Sequence, residues 1–425
     1  MIDDVLHLPA SLATTPRTDP LPRAWRLRTA DRLLEALWSS GAATRPPLDA
    51  NALIAAVAGA AELPDPSGWR RRLAILCGEL EQHAQLTALG RTLAYGQLTA
   101  ALRDRVRLER LWARHPTVLD QPLAAPIVIV GQMRSGSTRL QRLLACDPRL
   151  AATHFYESWN PVPRGGDRGG FDDRAWRARI GLALSRALNP AFGSIHPTSA
   201  RAADEQIGWH GISIFGAAFE TQWRVPNFTA AVEAADTVPV YREFRRLLQT
   251  VTWLRGDDGT RRCVLKVPQF AQDLDAILTV FPDATLLRLD RDPADVVASS
   301  ASLVRNQMQV QSEAVCPAWV GRETLRKVAL RERRTGQALQ HADVPVHRIE
   351  YAAIGADWEG EMARLYRFLR LPFTPRTRKA MAAMIARSKR HRLERHRYAL
   401  ADYGLTAADV RSAVAEPEPT QIAAE

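Results

Sequence analysis

Cysteine is scarce in this chain: Cys77, Cys146, Cys263 and Cys316 are the four among 425 residues. They form no CxxC pair and have no histidines at zinc-like spacing, which excludes a disulfide framework and a Cys/His metal site. A reducing compartment fits best. Long apolar runs are missing as well. The longest, near Ile207 to Phe219, contains His210 and is too short to span a bilayer. The N-terminal MIDDVLHLPASLATTP has neither the basic start nor the apolar stretch of a signal peptide, so a cytoplasmic location is expected. There is no internal repeat, and no helix-turn-helix, zinc or RNA-recognition signature that would support sequence-specific nucleic-acid binding. Acidic residues are outnumbered, 46 against 57 Lys plus Arg, leaving a net charge of +11. That excess favours anionic partners without choosing among them.

One further absence says more. IVIVGQMRSGST, residues 127–138, is a β-branched run that ends in glycine, passes through a short loop and enters a helix at Thr138-Arg139-Leu140. Gly131, four residues and Gly136 have the spacing of a phosphate cradle, in which backbone N–H groups at a helix N-terminus bind anionic oxygens. Ser137 stands where a nucleotide kinase needs lysine, so the loop is poorly equipped to polarise a terminal phosphate bond. Phosphate binding is expected; nucleoside-triphosphate hydrolysis is not.

Residues 1–22 read as a flexible arm. From Ala24 to His115, apolar residues recur at helical spacing, with breaks at Pro46-Pro47 and Pro64-Asp65-Pro66, which predicts an N-terminal helical module over 23–122. After Pro126, the short runs IVIV (127–130), CVLKV (263–267), TLLRL (285–289) and VHRIEY (346–351) alternate with helical segments. This predicts the α/β class, a P-loop-like parallel sheet flanked by helices, over 123–411. The region between about 167 and 258 is predicted mostly helical, and 412–425 reads as a disordered tail. Ligands of such sheets sit at the carboxyl ends of the strands. The loop follows IVIV, Lys266 ends its strand and Arg291 follows TLLRL, so three anion-binding candidates fall on one edge.

GQMRSGST, LKVPQF and FPDATLLRLDRDPADVVASSASL together resemble the sulfotransferases that use 3′-phosphoadenosine-5′-phosphosulfate (PAPS). The resemblance is closest to the bacterial branch that also includes tyrosylprotein sulfotransferase-like enzymes, and it is weakest between about 160 and 250. It implies PAPS as cofactor and donor, with adenosine 3′,5′-bisphosphate as product. The stretch from Gly131, Gln132 and Met133 through Arg134, Ser135, Gly136, Ser137 and Thr138 matches the 5′-phosphosulfate loop. Arg291 and Ser299, eight residues on, match the 3′-phosphate pair, and an arginine fork suits a phosphate dianion. Arg291-Asp292-Pro293 also reads as a plain helix start. Lys266 matches the residue whose ammonium meets the bridging oxygen of the leaving phosphate, although a lysine at a strand end can also snorkel into water. Glu157, in HFYESWNPVP, matches the base that takes the acceptor proton; a solvated or ion-paired glutamate is its other reading. His154 is the rival base or a turn-packed histidine. Asp204-Glu205, preceded by His196, either lines the acceptor pocket or is an acidic pair at a helix start.

The basic run Arg387, Lys389, Arg390, Arg392, Arg395 and Arg397 has three readings. It covers the cofactor together with Tyr398, it meets anionic lipid head groups, or it is a solvated helix face. No metal is needed where arginine, lysine and backbone amides supply the positive charge. The expected activity is sulfuryl transfer to a hydroxyl, or an amine, of a small-molecule, glycolipid or carbohydrate acceptor, without a transmembrane segment. A small-molecule kinase or nucleoside-triphosphatase explains the loop but neither its missing lysine nor Arg291 and Ser299. A non-catalytic nucleotide-binding scaffold leaves Lys266 and Glu157 without a purpose.

Overall fold

The computed structural model describes residues 24–164, 170–390 and 398–415, with only the helical backbone of 389 and 390. Five parallel strands form one sheet: β1 (Ile127–Gly131), β2 (Leu150–Ala152), β3 (Arg262–Lys266), β4 (Thr285–Asp290) and β5 (Val346–Glu350), in the order β2-β3-β1-β4-β5. Four lie where the apolar runs predicted them. β2 is only three residues long and carries no pattern of its own, and β5 stops one residue early because Tyr351 begins a helix.

β1 runs between β3 and β4 and is buried on both faces, which is why its sequence is apolar throughout rather than alternating. Val128 and Val130 enter one core with Leu265 and Leu286. Ile127 and Ile129 enter the opposite core with Val264 and Leu287. Each such side chain contributes about 1.5–3 kcal/mol by burial.

Seven helices position the site and its surroundings: α1 (Ala88–Arg114), α2 (Ser137–Leu144), α3 (Phe155–Trp159), α4 (Val238–Arg255), α5 (Pro293–Gln311), α6 (Pro317–His341) and α7 (Ala407–Ala415). α2 packs Leu140, Leu143 and Leu144 onto one face of the sheet, while α4 packs Tyr241, Phe244 and Leu247 onto the other. The helix Trp358–Phe368 covers the α2 side with Met362 and Leu365, as its amphipathic spacing predicts.

The boundary expected at residue 122 does not separate two cores. Leu53, Trp69, Leu73 and Leu98 of the N-terminal helices share one core with Phe215, Phe219, Trp223 and Phe228. α1 then continues into the sheet-side core through Leu108, Leu111 and Trp112. A buried Arg105–Glu243 pair at 2.6 Å joins α1 to α4. The tail expected from Ser412 does not begin before residue 416, because Val410 and Ala413 of α7 pack with Val296, Leu325 and Val328. Among the described residues, no helix is long and apolar enough to cross a membrane.

α1 and α5 meet closely at Gly90, where an added Cβ would lie 2.0 Å from the Gln311 carbonyl oxygen. Gly90→Val should therefore cost about 1–3 kcal/mol through overpacking, read as a lower urea midpoint. An unchanged midpoint would show that the contact yields freely.

Candidate functional site

The loop between β1 and α2 owes its shape to two left-handed residues. Arg134 has φ 67° and Gly136 has φ 90°. Gly136 has a second reason to be glycine: an added Cβ would lie 2.4 Å from the Tyr351 ring. At Gly131 it would meet Ser135 Oγ at 2.9 Å and the Leu289 carbonyl at 3.1 Å. α2 starts at Ser137, one residue before the expected Thr138, and no side chain caps it, so its N-terminus presents backbone N–H groups and the positive end of the helix dipole.

Segments far apart in sequence hold this loop. Gln132 donates from Nε2 to the Val328 carbonyl (3.0 Å) and to Glu332 (2.9 Å). Ser300 Oγ donates to the Met133 carbonyl at 3.2 Å. Arg134 Nε donates to Ser299 Oγ at 3.2 Å, and Arg291 donates to the Arg134 carbonyl at 2.8 Å. The expected loop and the expected Arg291/Ser299 pair are thus in direct contact. Arg291 also faces Tyr351, with its guanidinium carbon 4.6 Å from the ring centroid. Burial alone would lower the Arg291 pKa, but hydrogen bonds with Tyr398 and Asp295 outweigh it and raise it. Burial lowers Arg134, and the neighbouring Arg291 charge adds to that.

Lys266 reaches the same edge from the end of β3. Its Nζ donates to Thr138 Oγ1 at 3.2 Å and forms a short ion pair with Glu205. Glu205 is brought there by a strap over α2: Gln141 Nε2 donates to the Asp204 carbonyl at 2.9 Å, and Arg142 Nε to the Ala203 carbonyl at 3.1 Å. The neighbouring Asp204 turns to His196 (3.0 Å) and Thr198 (2.5 Å). Burial would raise its pKa, but these partners hold it below the usual carboxylate range.

Glu157 and His154, the expected base and its rival, meet each other and Arg255 at the start of α3. Glu157 is fully buried, forms a two-pronged pair with Arg255 and accepts from the His154 backbone N–H at 2.8 Å, closing the N-terminus of α3. His154 Nδ1 lies 3.1 Å from the same carboxylate, and its ring stacks on Tyr156. Burial alone would raise the Glu157 pKa; Arg255 and His154 instead hold it far below the carboxylate range. Arg255 lies in no motif and gave no warning in the sequence. Arg397, Arg392 and Arg395 lie outside the described residues, and Arg387 is exposed on the helix Pro375–Arg390.

The residues present fit a nucleotide carrying anionic groups. Ser135 Oγ and Arg291 Nε are buried without hydrogen-bond partners, and the loop helix is uncapped. Arg134 and Arg291 lie close enough to repel. An anion among them would relieve all three. Tyr351, absent from the sequence reading as a separate candidate, belongs to this edge; an aromatic directly after the last strand was its only signal.

Comparison with known proteins agrees with this geometry. The model of the family described as "Sulfotransferase family" matches residues 126–375. The crystal structure of sulfotransferase STF1 from Mycobacterium tuberculosis H37Rv is 25% identical, over 87% of this chain and 99% of that one, with a TM-score of 0.74. Sulfotransferase STF9 from Mycobacterium avium, 24% identical over 86% of this chain and 94% of that one, shares the fold with a TM-score of 0.74. No curated protein matches the chain.

Removing the Glu157 charge leaves Arg255 buried and unpaired. Glu157→Gln should cost about 3–5 kcal/mol at neutral pH, measured by urea unfolding. Because the folded pKa is depressed, the wild-type advantage is present above the unfolded glutamate value of about 4.3 and declines as pH falls toward the folded one. A gap that stays constant down to strongly acidic pH would contradict this role.

Proposed function

Since the chain belongs to the sulfotransferase family, we propose that it transfers a sulfuryl group from PAPS to an acceptor hydroxyl. The observation that carries this reading is the meeting of Lys266 with Thr138 and of Arg291 and Ser299 with Arg134 at one sheet edge. PAPS supplies the sulfuryl group and leaves as adenosine 3′,5′-bisphosphate. The loop amides and the Ser135, Ser137 and Thr138 hydroxyls hold the 5′-phosphosulfate. Arg291 and Ser299 hold the 3′-phosphate, and Tyr351 offers a ring face beside them.

Sulfuryl transfer resembles phosphoryl transfer in its in-line attack and in the charge that builds on the leaving oxygen. The acceptor oxygen forms the new S–O bond, the S–O bond to the 5′-phosphate breaks, and the electron pair leaves with the bisphosphate. Lys266 is more strongly attracted to that oxygen as its charge grows, which lowers the barrier. Glu205 takes the acceptor proton in our reading, in place of Glu157. Its carboxylate stands against Lys266 and retains some exposure, whereas the Glu157 carboxylate is enclosed by Arg255.

Adenosine 3′,5′-bisphosphate should raise the melting temperature, and ATP with magnesium should not; stabilisation by the triphosphate alone would favour a kinase. Lys266→Ala should lower kcat by about 10²–10³. Glu205→Gln should lower it by about 10²–10⁴ while bisphosphate stabilisation persists. Arg291→Ala should act mainly by weakening bisphosphate binding, roughly tenfold or more. Wild-type turnover in the Lys266 and Arg291 variants would overturn the assignment, and wild-type turnover in Glu205→Gln would return the base to another residue.

A further inference from the structure

Five of the eight large apolar side chains exposed among the described residues lie between Trp159 and Leu184. Three of them, Trp176, Ile180 and Leu184, occur four residues apart on the helix Arg174–Leu188, with exposures of 60%, 54% and 54%. That spacing sets them on one face, over about 12 Å of helix. The exposed Ala183 and Ala187 fall on the same face. Phe171, just before the helix, is 79% exposed, and so in part is Trp159 of α3, which packs beside it. The opposite face attaches the helix through Ala178 and Leu182. Arg174 donates to the Pro161 carbonyl at 3.1 Å, and Arg177 to the Val162 carbonyl at 2.6 Å. These bonds hold the apolar face outward, and a contiguous apolar patch on a surface marks an interaction site.

The charge around this face has one sign. From Arg174 to Ala203 the chain has five arginines and neither aspartate nor glutamate. Arg174 and Arg177 pair with Asp172 and Asp173, which precede the helix. Arg179 and Arg186, both exposed, border the apolar stripe on one side. Arg186 is bonded to the Thr198 carbonyl and Arg201 faces the Tyr156 ring, so neither charge is offset by these contacts. A helix with Trp, Ile and Leu on one face and arginine beside it lies in the plane of a membrane interface. Its apolar side chains enter the acyl boundary while the guanidiniums stay at the head groups.

Shape and charge together select the occupant. A convex apolar ridge needs either a matching groove or a soft apolar layer. A second copy of the chain would set Arg179 and Arg186 against their own counterparts, because an isologous contact brings like residues together. The helix carries no carboxylate to answer them. An anionic bilayer supplies the apolar layer and the opposite charge at once. Trp25 and Leu33 are exposed too, but Thr29 stands between them and Glu35 shares their helix. That face is weaker in both respects.

We propose that the face of Trp176, Ile180 and Leu184 docks this chain on an anionic lipid surface, with Arg179 and Arg186 at the head groups. It is a different surface from the basic run at 387–397. The docked helix is tied to the reacting edge. Arg186 donates to the Thr198 carbonyl at 2.7 Å, and Thr198 donates to Asp204, the neighbour of Glu205, at 2.5 Å. Arg134 of the phosphate loop donates to the Ile195 carbonyl at 2.9 Å. Docking therefore anchors at the lipid surface the segment that holds Glu205 against Lys266.

The test is sedimentation of the full chain with phosphatidylcholine vesicles, with and without about a third of phosphatidylglycerol. It involves no donor or acceptor, so its outcome is independent of the sulfuryl-transfer reading. The chain should partition to the anionic vesicles and much less to the neutral ones, and added salt should weaken the binding. Trp176→Gln with Ile180→Gln should lower the partition about tenfold or more. Arg179→Gln with Arg186→Gln should do the same. Trp25→Gln should leave it unchanged, and a wild-type melting temperature shows that each variant is folded. Failure to bind anionic vesicles, undiminished binding in Trp176→Gln/Ile180→Gln, or equal loss in Trp25→Gln would overturn the proposal. Capture by polyglutamate as firm as by vesicles would show charge attraction alone and overturn it too. A dimer in solution that Ile180→Glu converts to monomer would give the face to a second copy, with the same result.

Discussion

The hydrogen bond from Arg291 to the Arg134 carbonyl is the constraint on which the site depends. It ties the turn after β4 to the loop after β1 and supports a left-handed arginine, a conformation that side chains other than glycine seldom adopt. Through that bond and the Arg134–Ser299 contact, two guanidinium groups are held near enough to repel, with Asp295 paired to Arg291. Only a parallel sheet with β1 between β3 and β4 brings both turns, and Lys266 with them, to one edge. The cost of gathering like charges there is what an anionic ligand removes.

Much of this was legible in the sequence, for a simple physical reason. A buried parallel strand is a short β-branched run, and a phosphate loop must have glycine where a side chain would block either the backbone or Tyr351. Thus IVIV, Gly131 and Gly136 read as a buried strand and the tight loop after it, and Lys266 and Arg291 as residues at the ends of the neighbouring strands. β2 did not read as a strand, because three residues carry no periodicity. The ion pairs of Glu157 and Glu205 were hidden as well. Each carboxylate is defined by a partner distant in sequence, Arg255 for one and Lys266 for the other, and no local pattern records such pairings. His154 shows the same limit: its backbone N–H donates to the Glu157 carboxylate at the start of α3, a contact its spacing alone does not announce.

The N-terminal helices also take on a different meaning. Read from sequence they form a separate module, yet their core is completed by Phe215, Phe219, Trp223 and Phe228. The same region that least resembles the family therefore joins the helices to the sheet. The β1–α2 loop, Lys266 and Arg291 are gathered at the sheet edge, whereas the core of the N-terminal helices is built by contacts between segments distant in sequence.

The most direct measurement is transfer of label from sulfur-labelled PAPS by the purified chain in an extract of its host. The account predicts a labelled sulfate ester formed in step with adenosine 3′,5′-bisphosphate, and loss of both products in Lys266→Ala. Label that remains in PAPS, or appears only as free inorganic sulfate, would contradict it.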